Sequence, residues 1–133
     1  MNNIQLIEEA KKASKFSYSP YSGFSVGAAL LSDDGELFTG CNIENASYGA
    51  TCCAERTALF KAVSSGKKRF CKIAVAGSAD GSFAKQTPPC GMCLQALSEF
   101  CSPDFEVILT DAEGVNTLKL SQLMPQPFDK GSM

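Results

Sequence analysis

Two cysteines, a glutamate and an arginine crowd into six residues, Thr51-Cys52-Cys53-Ala54-Glu55-Arg56, in a chain with no histidine. A second thiol pair, Cys90 and Cys93, forms C-x-x-C. Thiolates are the nucleophilic and metal-binding form of cysteine, and a carboxylate beside them opposes ionisation. Something positive must sit close by.

Residues three apart on a helix share a face, so Cys90 and Cys93 could reach one ion. Alone, the pair fits a thioredoxin-like redox couple or half of a structural zinc site. A structural site usually closes with four protein ligands. The other paired thiols here, Cys52 and Cys53, are adjacent, and neighbouring side chains rarely converge on one metal. One of them then serves. Three ligands with a fourth position for water is the arrangement of a catalytic zinc. Both ligand segments are expected at helix starts, where the dipole favours thiolates.

Glu55 shares a helix side with Leu59 and Ala62. A carboxylate on an apolar face is costly without a partner. Burial raises its pKa, which suits a group that takes and gives protons. On an ideal helix Cys53 and Glu55 point roughly 200° apart, so both approach one ion only if it lies off the helix tip. Cys41, Cys71 and Cys101 stand singly and read as small buried residues, and Cys52 reads as structural.

The elements that must position these groups follow from patterning. Residues 3–17 carry apolar positions at helical spacing. Segment 24–32 and segment 36–43 read as strands joined by the turn at 33–35. A polar loop leads to a helix beginning near Cys52, capped by Thr51 and ending near Gly66. Segments 71–77 and 105–110 are continuously apolar, as expected of strands covered on both faces. A helix should start at Cys90 after two prolines, and a last weak strand lies near 118–120. The alternation predicts an α/β domain in layers.

The 133 residues suit a single domain. Net charge is −2, and the longest basic run, Lys67-Lys68-Arg69, reads as a solvated turn. No basic stripe for a nucleic-acid backbone is present. No stretch is apolar enough to span a bilayer, and the acidic start of the chain does not read as a secretory signal. A cytoplasmic address and reduced thiols follow as expectations.

The stretches CAER and PCGMC resemble the C-[AE]-E…P-C-x-x-C arrangement of the zinc nucleoside deaminases. With GCNIENASY, the chain is similar to the cytidine deaminases of the short-chain, homotetrameric, three-cysteine type, from near position 19 to near 128. The resemblance implies a three-layer α/β/α fold with a mixed five-stranded sheet, and a single catalytic domain over residues 1–133. It implies one Zn²⁺ on Cys53, Cys90 and Cys93, with Glu55 as proton shuttle. Arg56 would bond to the zinc thiolates and restore the Lewis acidity that three thiolates remove. Asn42 and Glu44 would hold sugar hydroxyls, Phe24 would pack on the pyrimidine, and the Ala54 backbone would face the exocyclic amine. Tyr48 and Phe128 would stand near a neighbouring subunit's pocket. The implied reaction is hydrolytic deamination of cytidine and 2′-deoxycytidine in pyrimidine salvage. One departure is Leu94, where the family commonly has arginine.

Overall fold

A computed structural model describes residues 1–133. The first helix, α1 (Asn3–Ser14), opens with a reciprocal cap. Asn2 Oδ1 accepts from the Gln5 amide at 2.8 Å, and Gln5 Oε1 accepts from the Asn2 amide at 2.9 Å. The helix stops three residues short of the expected end. The Phe16 and Ser17 amides bond three residues back, to Ala13 and Ser14, which tightens the last turn.

The strands are β1 (Ser25–Ser32), β2 (Leu37–Cys41), β3 (Phe70–Ser78), β4 (Glu106–Asp111) and β5 (Gly114–Lys119). They form one mixed sheet in the order β2-β1-β3-β4-β5. Only β3 and β4 pair in parallel. The other helices are α2 (Ala54–Ser64), α3 (Gly91–Phe100) and the short α4 (Leu120–Leu123). The last strand lies earlier than expected: β5 ends at Lys119, and Leu120 opens α4. Lys67, read as part of a solvated run, bonds instead to Asp34 at 2.5 Å and Glu36 at 3.2 Å in the β1–β2 hairpin.

The period-two alternation of strands sorts the core into two faces. Ala29, Ala74, Ala76 and Ile108 face Leu6, Ile7 and Ala10 of α1. Ala28, Leu30, Ile73, Val75, Val107 and Leu109 face Ala54, Ala58, Leu59 and Ala62 of α2, and Leu97 of α3. The result is the three-layer α/β/α sandwich. No helix is long and apolar enough to cross a membrane.

Strand direction places the chemistry. β1 runs antiparallel to both neighbours, so β2 and β3 run the same way. Gly27 of β1 pairs with Cys41 on one side and Ala76 on the other, which sets the two carboxyl ends level. The chain leaves β2 toward α2 and β3 toward α3, so both helix N-termini open at the same end of the sheet. Ligands in open α/β sheets gather at the carboxyl ends of strands.

Candidate metal centre

Helix α2 begins at Ala54, two residues later than expected, and its cap position is Cys53 rather than Thr51. The Thr51 hydroxyl is occupied elsewhere, accepting from the Asn45 amide at 3.2 Å. Cys90 holds the equivalent position on α3. Neither cysteine makes a side-chain capping bond, so both sulfurs hang off positive helix ends. Cys93, one turn into α3, is fully buried.

The sulfurs of Cys53, Cys90 and Cys93 all lie within 4.8 Å of one another. Cys53 to Cys90 and Cys90 to Cys93 each measure 3.7 Å. A tetrahedral zinc with Zn–S bonds of about 2.3 Å needs sulfurs about 3.8 Å apart, so the donor set fits Zn²⁺. Cys52 takes no part. Its amide and carbonyl pair with Ile43, both at 2.9 Å, and successive side chains of an extended segment point oppositely. Its sulfur accepts from Thr57 Oγ1 at 3.5 Å. Cys41 and Cys101 are half-buried and raised by burial, Cys101 to about 12. Cys71, expected inside, is exposed because it precedes the covered stretch of β3.

Glu55 is 4 % exposed. Burial first, and the Cys53 charge in addition, push its carboxyl up to about 7. Arg56 Nη2 donates to Cys53 Sγ at 3.4 Å. Cys53 is pulled down to about 5 by the hydrogen bond from Cys93, with Arg56 adding to it. Cys93 moves upward because it gives its proton to that bond and is buried. The Arg56 guanidinium is held more firmly protonated by its bond to Cys53. Leu94 is half-buried and packs against the main core.

A second shelf of side chains lies at the same end of the sheet. The Phe24 ring packs over Gly77 of β3; a Cβ at Gly77 would meet the ring at 2.8 Å and Thr87 Oγ1 at 2.6 Å. Asn42 Nδ2 donates to the Phe24 carbonyl at 2.9 Å. Asn42 Oδ1 accepts from the Val26 amide at 2.9 Å and from the Ser17 hydroxyl. Glu44 Oε1 accepts from the Tyr21 and Ser22 amides at 2.8 and 3.1 Å, and Oε2 from Ser22 Oγ at 2.5 Å. Asn42 Oδ1 and both carboxylate oxygens of Glu44 are thus braced, leaving one amide hydrogen of Asn42 and an acceptor site on Glu44 for a ligand. Ser17, expected at the end of the first helix, and Ser22, in a polar loop, brace them, and neither carries a sequence signal for that role.

Glu44 and Ser22 line a hollow of about 360 Å³ with Tyr21, Tyr48 and Thr51. Tyr48 is 76 % exposed and meets Tyr21 edge-on, with ring centres 6.0 Å apart. Phe128 is also exposed, on a tail tied down by Gln95 Nε2 to its carbonyl at 2.8 Å. The hollow that Tyr48 lines includes none of the three clustered cysteines.

Sulfur ligands on two helix tips, a buried acid beside them and a mixed α/β/α sheet define a zinc-thiolate enzyme. The family model of the cytidine and deoxycytidylate deaminase zinc-binding region matches residues 1–109. Cytidine deaminases from Sporosarcina psychrophila and Halalkalibacterium halodurans are each 46 % identical. The first match covers 98 % of this chain and 93 % of that protein, the second 100 % and 98 %. The crystal structure of cytidine deaminase from Burkholderia pseudomallei superposes with a TM-score of 0.87 at 45 % identity, over 96 % of this chain and 100 % of that one. The chain belongs to the cytidine and deoxycytidylate deaminase family of zinc hydrolases.

Proposed function

We propose that this chain converts cytidine and 2′-deoxycytidine, with water, to uridine and 2′-deoxyuridine plus ammonia, as a step of pyrimidine salvage. The observation that carries the reading is the buried carboxyl of Glu55 on the helix tip that also presents Cys53. Bound zinc supplies Lewis acidity that brings water's pKa toward ~7. Glu55, held at about 7 by its burial, accepts one proton of the attacking water at its carboxylate and passes it to ring N3, then takes the second from the new C4 hydroxyl and gives it to the departing amine. One group acts as base and acid because its burial leaves either protonation state accessible.

The remaining roles extend the same reading. Cys53, Cys90 and Cys93 hold the ion, and Arg56 withdraws charge from the sulfurs. The Ala54 backbone faces the amine, Phe24 packs on the pyrimidine, and Asn42 and Glu44 take sugar hydroxyls. A carboxylate at Glu44 repels phosphate, so nucleosides are substrates and nucleotides are not. The whole of residues 1–133 acts as one catalytic domain. Exposed Tyr48 and Phe128 support a homotetramer in which each ring reaches a neighbouring pocket. Seven free thiols favour the cytoplasm.

The test is an absorbance assay with purified protein and a zinc count. Cytidine turnover with one zinc per chain is expected, and Glu55→Gln should lower kcat by roughly 10²–10⁴-fold with zinc retained. A Glu55→Gln protein as active as wild type, or equal turnover of cytidine 5′-monophosphate, contradicts the reading.

A further inference from the structure

Ser22 is exposed, yet its hydroxyl makes two bonds that join separate parts of the shelf. It donates to Glu44 Oε2 at 2.5 Å and accepts from the Phe24 amide at 3.0 Å. Phe24 is thereby held on both its backbone groups. Asn42 takes its carbonyl directly, and Glu44 reaches its amide through Ser22. The Ser22 amide adds a bond to Glu44 Oε1, but that bond belongs to the backbone and survives any side-chain change. The hydroxyl alone connects the carboxylate to the aromatic residue.

We infer that Ser22 is a positioning residue that locks Glu44 and Phe24 into one unit, so that the sugar and base of a nucleoside are gripped in a fixed relation. The inference rests on the reading of Glu44 as the sugar-hydroxyl acceptor. Without the hydroxyl, Glu44 keeps only the bonds of Oε1 to the Tyr21 and Ser22 amides, Oε2 is free to swing about them, and binding through it must order that motion. A carboxylate already fixed by a charge-assisted bond avoids that ordering on binding. The same hydrogen bond is the first cause of the lowering of the Glu44 carboxyl below its ordinary value. Phe24 benefits indirectly: its amide faces Ser22 Oγ, and its ring orientation over Gly77 depends on that backbone.

The experiment measures KM and kcat of the wild type, Ser22→Ala and Ser22→Thr on cytidine and on 2′,3′-dideoxycytidine, with thermal unfolding alongside. Ser22→Ala should raise KM for cytidine roughly tenfold, which is about 1.4 kcal/mol, and affect kcat less. Ser22→Thr keeps the hydroxyl and should restore KM to within about 2-fold of wild type. With dideoxycytidine the Ala penalty should shrink to under about 3-fold, because the 2′- and 3′-hydroxyls that would donate to Glu44 are gone and only the 5′-hydroxyl is left. An unchanged cytidine KM in Ser22→Ala overturns the inference while leaving the proposed function intact. An equal penalty on both substrates, or a Thr variant as poor as Ala, overturns it too, marking a merely structural residue. If wild type binds both substrates alike, the sugar role of Glu44 fails and the inference goes with it.

Discussion

Arg56 donates to Cys53 Sγ at 3.4 Å while its own Nε is buried with no partner. A side chain that leaves one donor unsatisfied to place another on sulfur is held there by charge. Three thiolates around Zn²⁺ carry a net −1, and the guanidinium cancels it. Leu94, half-buried against the core, offers no second cation. Arg56→Ala should therefore lower kcat roughly 10–100-fold, the usual effect of losing a partner of a metal ligand. The acid limb of the pH–kcat profile should move to higher pH, because a more electron-rich site ionises water less readily. Arg56→Lys should fall between the two. Steady-state profiles with a zinc count check this, and a profile superposable on wild type refutes it.

Glu55 makes a prediction about stability. Its pKa is raised from 4.5 to about 7 in the folded chain, chiefly by burial. Below 4.5 the folded and unfolded chains are both protonated at this position. Between 4.5 and 7 the unfolded chain loses the proton first, so the native state binds more protons and stability falls as pH rises. Above 7 the loss is complete, at about 3–4 kcal/mol at most by the ~1.4 kcal/mol per pKa unit of linkage. Chelated wild type should weaken relative to chelated Glu55→Gln between pH 4.5 and 7. Taking the difference removes the thiol titrations common to both. Urea midpoints at pH 5 and 7.5 measure it, and a pH-independent difference contradicts the burial argument.

The cysteine doublet gives a clean separation. Cys53 lies 3.7 Å from Cys90 in the cluster, while Cys52 is turned toward Thr57. Cys53→Ala should empty the zinc site and abolish turnover, since two remaining thiolates cannot close it. Cys52→Ala should keep one zinc per chain and lose about 1 kcal/mol of stability. Elemental analysis of both purified proteins decides the point, and the reverse pattern would show that the wrong neighbour was assigned.

Much of this was legible in the residues, and what was not has local causes. The order of elements came from periodicity, and the burial of Glu55 came from its apolar helix neighbours Leu59 and Ala62. The choice between Cys52 and Cys53 did not, because it depends on the Ile43–Cys52 backbone bridge between two loops. The same bridge delays α2 to Ala54, which no propensity encodes. The start of strand β5 is not legible, because Val115, Asn116 and Thr117 are all exposed on an edge strand and show no alternation. Ser17 and Ser22 bond to residues 25 and 22 positions away, a distance at which a loop serine looks like any other.

The placement of α2 yields the last prediction. A Cβ on Gly40 of β2 would lie 2.5 Å from the Ala58 amide nitrogen and 2.6 Å from the Ala54 carbonyl oxygen. These are backbone atoms of α2 and cannot rotate aside, so the helix must move off the sheet. Such overpacking costs about 1–3 kcal/mol, or roughly 5–10 °C in Tm for a chain of this size. The displaced first turn carries Glu55 and Arg56, with Cys53 at its cap, whereas Cys90 and Cys93 ride on α3 and stay behind. Gly40→Ala should therefore lose zinc as well as stability, although the residue touches no ligand. Gly49→Ala, where a Cβ meets nothing within 4 Å, is the control and should change stability by under about 0.5 kcal/mol. Scanning calorimetry and zinc content of both variants test the link. A Gly40→Ala protein that melts lower but holds a full complement of zinc would mean that the seat of α2 on β2 does not set the sulfur geometry.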